Sequence, residues 1–157
     1  MRGPVKIKIE WTAPLTLKKD PSLIYSESVL DVIEDGAGVY VFARKFGDAI
    51  TPLYVGKASN LRGRIKQQLN NLRLMKQVQD WNKNGARVLL LGYLKLHGAQ
   101  DEAKVLNIVE RALIEHGLAE GHPLVNVQGT KKPVHTLTFR GNRSSEQVAP
   151  REMFVRA

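Results

Sequence analysis

The chain of 157 residues contains no cysteine. That excludes thiolate metal sites, disulfide staples and cysteine nucleophiles, and it leaves oxygen and imidazole to hold any metal. No apolar run approaches the length of a membrane span, and the first residues lack the apolar centre of a signal peptide. A cytoplasmic protein with no membrane partner is therefore expected. No internal repeat is present. Acidic side chains are scarce in one region above all: residues 37–100 hold 11 Lys and Arg against two acids, Asp48 and Asp80. Residues 1–36 carry 5 basic and 6 acidic side chains, and residues 101–157 carry 8 and 7.

The formal charge of +9 thus comes from the middle of the chain. A concentrated positive field attracts polyanions and gains affinity by releasing counterions from phosphates. Nucleic acid is the commonest such partner. The competing reading is a solvated basic face that keeps the protein soluble, and composition does not choose between the two. The length suits one core rather than two.

Alternation of Val5, Ile7, Ile9 and Trp11 with Lys6, Lys8 and Glu10 predicts a half-buried strand. A short helix is expected over Ser28 to Ile33. Strands at Gly38 to Ala43 and Leu53 to Gly56, with a turn at Gly47-Asp48, read as an antiparallel hairpin with a long loop. One helix is expected from Ser59 as N-cap, with Leu61, Ile65, Leu69, Leu72 and Val78 on its buried stripe. Ala86 to Leu96 reads as a central strand, and Asp101 as the cap of a further helix that stops at Gly117. A last strand pair is expected at Leu124 to Val127 and Val134 to Phe139, followed by a mobile tail over the last sixteen residues.

Several side chains have the chemistry for phosphate. Lys57, Arg62, Lys66, Arg73 and Lys76 lie in a stretch with no acid from 57 to 79, and helical spacing puts Arg62, Lys66 and Arg73 on one exposed face. These five are the nucleic-acid-binding candidates. Arg64 falls three residues after Leu61, at the border of the apolar stripe, where its guanidinium is expected against the sheet. It either grips a phosphate in two places or snorkels over the core edge. Glu110 lies beside the buried stripe of its helix, where a carboxylate pairs with an arginine, caps a backbone group or holds a hard cation. Tyr40 and Tyr54 lie on neighbouring strands with small or β-branched neighbours, where most tyrosines are ordinary core-edge residues with satisfied hydroxyls.

Together these residues form a pattern. Gly38, Tyr40, Tyr54, Gly56, Lys57, Arg64, Glu110 and Asn126, in that order, resemble the GIY-YIG nuclease family. The run from Tyr54 to Arg64 is especially similar to the nuclease domain of bacterial excision-repair incision subunits. The resemblance covers residues 37–127, leaving residues 1–36 as an N-terminal extension with a strand and 128–157 as a C-terminal extension. It implies a small α/β (α+β) fold, a three-stranded mixed sheet flanked by helices with extra terminal strands. It also implies metal-dependent hydrolysis of phosphodiesters in DNA, with Mg2+ or Mn2+ as cofactor and DNA repair as the expected setting, although the sequence does not separate repair from restriction, defence or mobile-element roles. By carry-over, Glu110 is the metal ligand, Arg64 stabilises the phosphate, and Tyr40 or Tyr54 orients or deprotonates the attacking water. Lys57 lowers a tyrosine pKa, and Asn126 supports the site from behind.

The chain departs from the pattern at Gln68, four residues after the arginine, where many family members place histidine or tyrosine. Glutamine cannot act as a general base. An alternative is therefore a nucleic-acid-binding module of the same fold with weak or no activity, and a third is a regulatory subunit whose terminal strands add to a partner's sheet. The four histidines, His97, His116, His122 and His135, do not fill the vacant spacing and read as surface or core residues.

Overall fold

The central hairpin turns on two residues. In the computed structural model, which describes residues 5–82, 84–122, 124–125 and 134–156, Gly47 adopts a φ of 61°, which glycine reaches without steric cost. With Asp48 it joins β3 (Gly38–Phe46) to β4 (Ala49–Ala58). The strands are longer and the loop tighter than expected. Phe42 pairs with Tyr54 and Ala43 with Pro52, so Leu53 is the extra residue of a bulge. Pro52 has no N–H to donate, a loss that β4 tolerates as the last strand in the sheet order.

On the other side of β3 lies β5 (Ala86–Lys95), the expected central strand. β1 (Lys8–Trp11) and the short β2 (Leu15–Thr16) both pair with β5, giving the order β1-β5-β3-β4 with β2 beside β5. Every pairing is antiparallel. The protein is α+β with a five-stranded sheet, which corrects the expected three-stranded mixed sheet. β4 and β5 do run in the same direction, but β3 lies between them, so no parallel ladder forms. The strand anticipated near the N-terminus is thus part of the main sheet. Leu17, Tyr25, Leu30 and Ile33 join the same buried cluster as Tyr40 and Phe42.

The single helix expected from Ser59 is two helices, α1 (Leu61–Leu69) and α2 (Leu72–Asp80). Asparagine chemistry explains both starts. Asn60, not Ser59, caps α1 by accepting from Gly63 N, and Asn71 caps α2 by accepting from Leu74 N at 3.1 Å. The Asn70 amide donates to Lys66 O at 2.8 Å and closes α1. The restart rotates the second half, so Leu72 is exposed while Leu74, Met75 and Val78 are buried. Arg62, Lys66 and Arg73 therefore do not share one continuous helical face.

α3 (Glu102–Ala119) is capped by Asp101 as expected, but it runs past Gly117. Gly117 is buried against Leu124, and the chain leaves the helix at Gly121, with a φ of 83°. β6 (Val134–Thr138) pairs with β7 (Glu152–Arg156), not with a strand at 124–127. β7 occupies part of the stretch that reads as a mobile tail. Phe154 packs on the α3 side, and Arg156 Nε donates to Glu115 at 2.8 Å. No described helix is long and apolar enough to cross a membrane.

The sheet has two unlike faces. Tyr40, Phe42, Leu89 and Leu91 point toward α1 and α2, with Leu61, Ile65, Leu69, Met75 and Val78 packed on them. Val41, Ala43, Val55 and Val88 point the other way, against Ile114, Leu118 and Leu124. Full burial of each such side chain contributes about 1.5–3 kcal/mol.

Candidate active site

Because strand side chains alternate, β4 distributes the residues at its end between the two faces. Tyr54 and Gly56 pair with Phe42 and Tyr40 and face α1, while Lys57 pairs with Val39 and faces α3. On the α1 face, the Tyr40 ring lies over Gly56. A Cβ on Gly56 would come within 2.2 Å of Tyr40 Cζ, so the glycine makes room for the ring. Tyr40 and Tyr54 stack with centroids 6.2 Å apart and planes at 26°. Gln68, buried on α1, donates from Nε2 to the Tyr40 hydroxyl at 2.7 Å. Gln68 is thus used in an internal hydrogen bond that fixes the Tyr40 hydroxyl.

Tyr40 is 2% exposed. Burial raises its pKa well above 10, the bond from Gln68 works against that rise, Tyr54 adds to it, and the charge of Arg64 opposes it. A phenol so placed stays protonated at neutral pH. Tyr54 is half-buried and is the tyrosine of the pair with access to solvent. Arg64 is exposed at the start of α1, whereas the sequence predicts a guanidinium held against the sheet. It makes no ion pair with any described residue. With Ser59, Asn60, Gly63 and Gln67 it lines a cleft of about 230 Å3 beside the α1 N-terminus, where backbone N–H groups favour anions.

On the α3 face, the Lys57 ammonium bonds to Asn107 Oδ1. Glu110 lies three residues further along α3 and is therefore Asn107's neighbour on the helix surface. It is half-buried and forms no ion pair with a described residue. No cluster of three or more His, Asp or Glu able to hold a metal occurs among the described residues. Glu110 is one hard oxygen ligand. It fits magnesium that arrives with its substrate, since that ion needs only one or two carboxylates when waters and phosphate oxygens complete the shell. Asn126 lies outside the described residues.

The candidate set therefore forms two groups, Tyr40, Tyr54 and Arg64 on one face and Lys57 and Glu110 on the other. A phosphate touching both would lie around the end of β4 and the β4–α1 corner. The remaining basic candidates differ in freedom. Arg62 Nε donates to Leu30 O at 3.1 Å, and Lys76 pairs with Asp80 at 3.1 Å. Lys66 and Arg73 are exposed without an ion pair to a described residue. A larger cleft, of about 840 Å3, lies in the β6–β7 connection and touches none of these residues.

Two side chains have partners that spacing alone does not reveal. Asn107 had a signal, since asparagine inside a helix competes with the backbone and needs another use. Gln68 was noticed only as something missing, because its partner lies 28 residues earlier and no spacing rule links them. Comparison with known proteins adds no name: no family model, no curated protein and no solved structure matches this chain.

Proposed function

We propose that the protein is a cytoplasmic, divalent-metal-dependent endonuclease that hydrolyses phosphodiester bonds in DNA with a GIY-YIG-type site. The observation that carries this reading is the β4–α1 corner. Within eleven residues it presents Tyr54 stacked on Tyr40, Lys57 bonded one helical turn from Glu110, and Arg64 with no ion pair to a described residue beside a helix N-terminus. Structural needs account for Gly56 and Gln68, but not for an arginine and a half-buried carboxylate that flank the same corner with no ion pair among the described residues. Glu110 would hold magnesium or manganese, which when bound polarises the phosphate and assists the leaving oxygen. Arg64 would stabilise charge on the phosphate oxygens, and Lys57 would add positive field at the same corner. Tyr54, rather than the sealed Tyr40, would orient the water, with Tyr40 holding its ring in place.

The experiment is cleavage of labelled single-stranded, duplex and forked DNA with Mg2+, Mn2+ or EDTA, run beside Glu110→Ala and Arg64→Ala. Metal-dependent products that fall by about 100-fold or more in both variants are expected. Retained magnesium-dependent turnover in Glu110→Ala would overturn the ligand assignment.

One observation favours a second reading, a nucleic-acid-binding module without turnover. Tyr40 is sealed in the core with a raised pKa and its oxygen is occupied by Gln68. That reading expects DNA binding that weakens steeply with salt and no cleavage with any divalent metal.

A further inference from the structure

Arg87 is a charged residue inside the core. It stands in β5 across from Arg44 and is 6% exposed. Its Nε donates to Val78 O at 2.7 Å, and its Nη2 donates to Gln79 O at 3.0 Å and to Asn82 O. Half of the guanidinium thus caps the last carbonyls of α2. The other half has no such use. Nη1 is buried without a hydrogen-bond partner, the one side-chain nitrogen or oxygen of that kind among the described residues. No carboxylate of a described residue pairs with this arginine. A buried cation without an anion is costly. Burial lowers its pKa, Tyr25 works against that, and the nearby charge of Arg44 lowers it further.

Arg87 also forms part of the wall of a cleft of about 410 Å3, with Lys19, Tyr25, Gln79 and Asp80. Lys19 and Tyr25 face each other across an antiparallel bridge, which brings an ammonium and a phenol to the same wall. Burial keeps the Tyr25 phenol protonated above its ordinary range, although Arg87 opposes this, so at neutral pH it is a hydroxyl donor. Asp80 is the one acid among the described residues of the wall, and it pairs with Lys76 at 3.1 Å. Among the described residues the wall thus carries the Lys19 ammonium, the buried Arg87 guanidinium and the Tyr25 hydroxyl.

We propose that this cleft binds a phosphate monoester, with Arg87 supplying the buried charge and Lys19 and Tyr25 the donors at the mouth. A phosphate dianion matches two cations, and its oxygens accept from donors in different directions, which a planar carboxylate does less well. The volume falls in the range of small-molecule sites and leaves room for a nucleoside beyond the phosphate. The site is separate from the candidate active site. Arg44, opposite Arg87, lies four residues along β3 from Tyr40 on the same face, about 14 Å at the rise of a strand. The inference does not depend on nuclease activity.

The test is calorimetric titration of the full chain with inorganic phosphate, adenosine 5′-monophosphate, a 5′-phosphorylated oligonucleotide and its unphosphorylated twin. Lys19→Met, Tyr25→Phe and a Lys18→Met control are measured alongside, with circular dichroism to verify folding. Binding is expected to weaken at least tenfold in Lys19→Met and severalfold in Tyr25→Phe, and to be unchanged in Lys18→Met. A phosphorylated oligonucleotide that binds more tightly than its twin, with the difference lost in Lys19→Met, identifies a nucleic-acid end as the source. Equal or tighter binding of the mononucleotide identifies a free nucleotide. Absence of binding for every phosphate probe, or identical affinities in Lys18→Met and Lys19→Met, would overturn the site.

Discussion

The two faces of the sheet are built from the same strands, yet they solve different problems. On the α1 face, polar groups are buried with the core: the Tyr40 hydroxyl on Gln68, the Tyr25 phenol, and Arg87 on the end of α2. On the α3 face the core is aliphatic, and polar chemistry sits at its margin as Lys57 with Asn107 and the neighbouring Glu110. Buried polar groups are costly unless every partner is in place. The α1 face should therefore be rigid and intolerant, and the α3 face adaptable.

The largest test compares two glycines. Gly56→Ala puts a Cβ 2.2 Å from the Tyr40 ring, with two further atoms of that side chain within 2.7 Å, while Gly92→Ala comes nearest to Ile9 Cγ2 at 2.7 Å, then to Val39 Cγ2 at 3.1 Å and Trp11 Cζ3 at 3.2 Å. Urea unfolding is expected to show a loss of about 3 kcal/mol for Gly56→Ala and about 1 kcal/mol for Gly92→Ala. Equal losses would break the comparison. Next in size, Tyr40→Phe removes the acceptor of the Gln68 amide and is expected to cost about 1–3 kcal/mol. Asn107→Ala on the exposed side should stay within about 0.5 kcal/mol. A Tyr40→Phe, Gln68→Leu double variant that loses less than the sum of its parts would locate the cost in the unpaired amide.

The pH dependence should differ by face as well. The folded-state pKa values of Tyr40 and Tyr25 are raised by burial above the ordinary 10.0. Their contribution is therefore complete below pH 10 and is lost as pH rises beyond it. Thermal melts across pH 9–12 should fall less steeply in Tyr40→Phe. At the end of α3, burial lowers the pKa of His122 below 6.5, with Glu120 opposing and His116 assisting. Its contribution is present above pH 6.5 and is lost as pH falls through the lowered value. His122→Gln should flatten the acid limb, measured between pH 4 and 7. A small gain rather than a loss is expected at Gly63, where a Cβ meets nothing closer than 3.6 Å. Gly63→Ala in α1 should add about 0.5–1 kcal/mol.

The elements legible in the sequence are those fixed by local rules. Asp101 capping α3, the β5 run and the Gly47-Asp48 turn each follow from capping, apolar content or backbone freedom within a few residues. The break between α1 and α2 was missed because apolar spacing continues across it, and capping by Asn71 outweighs that pattern. The sheet order was missed for a different reason. β1 adds to β5 through pairs more than 80 residues apart, such as Lys8 with Lys95, which periodicity cannot see. At the candidate site the residue types were readable and their partition was not. Alternation separates Gly56 from Lys57, but only the β3 register reveals which face receives α1 and which receives α3.

The bulge at Leu53 and the proline before it carry one more consequence. A strand at the end of a sheet is a template on which another chain can grow, and long regular ones seed aggregates. Along the half of β4 nearest the turn, Pro52 removes a donor and the bulge shifts the spacing of the groups that remain. A second copy of the same strand would find no continuous ladder to extend. The irregularity that spaces Tyr54 from the turn would thus also disfavour pairing of a strongly basic protein with itself at high salt, where charge repulsion is screened.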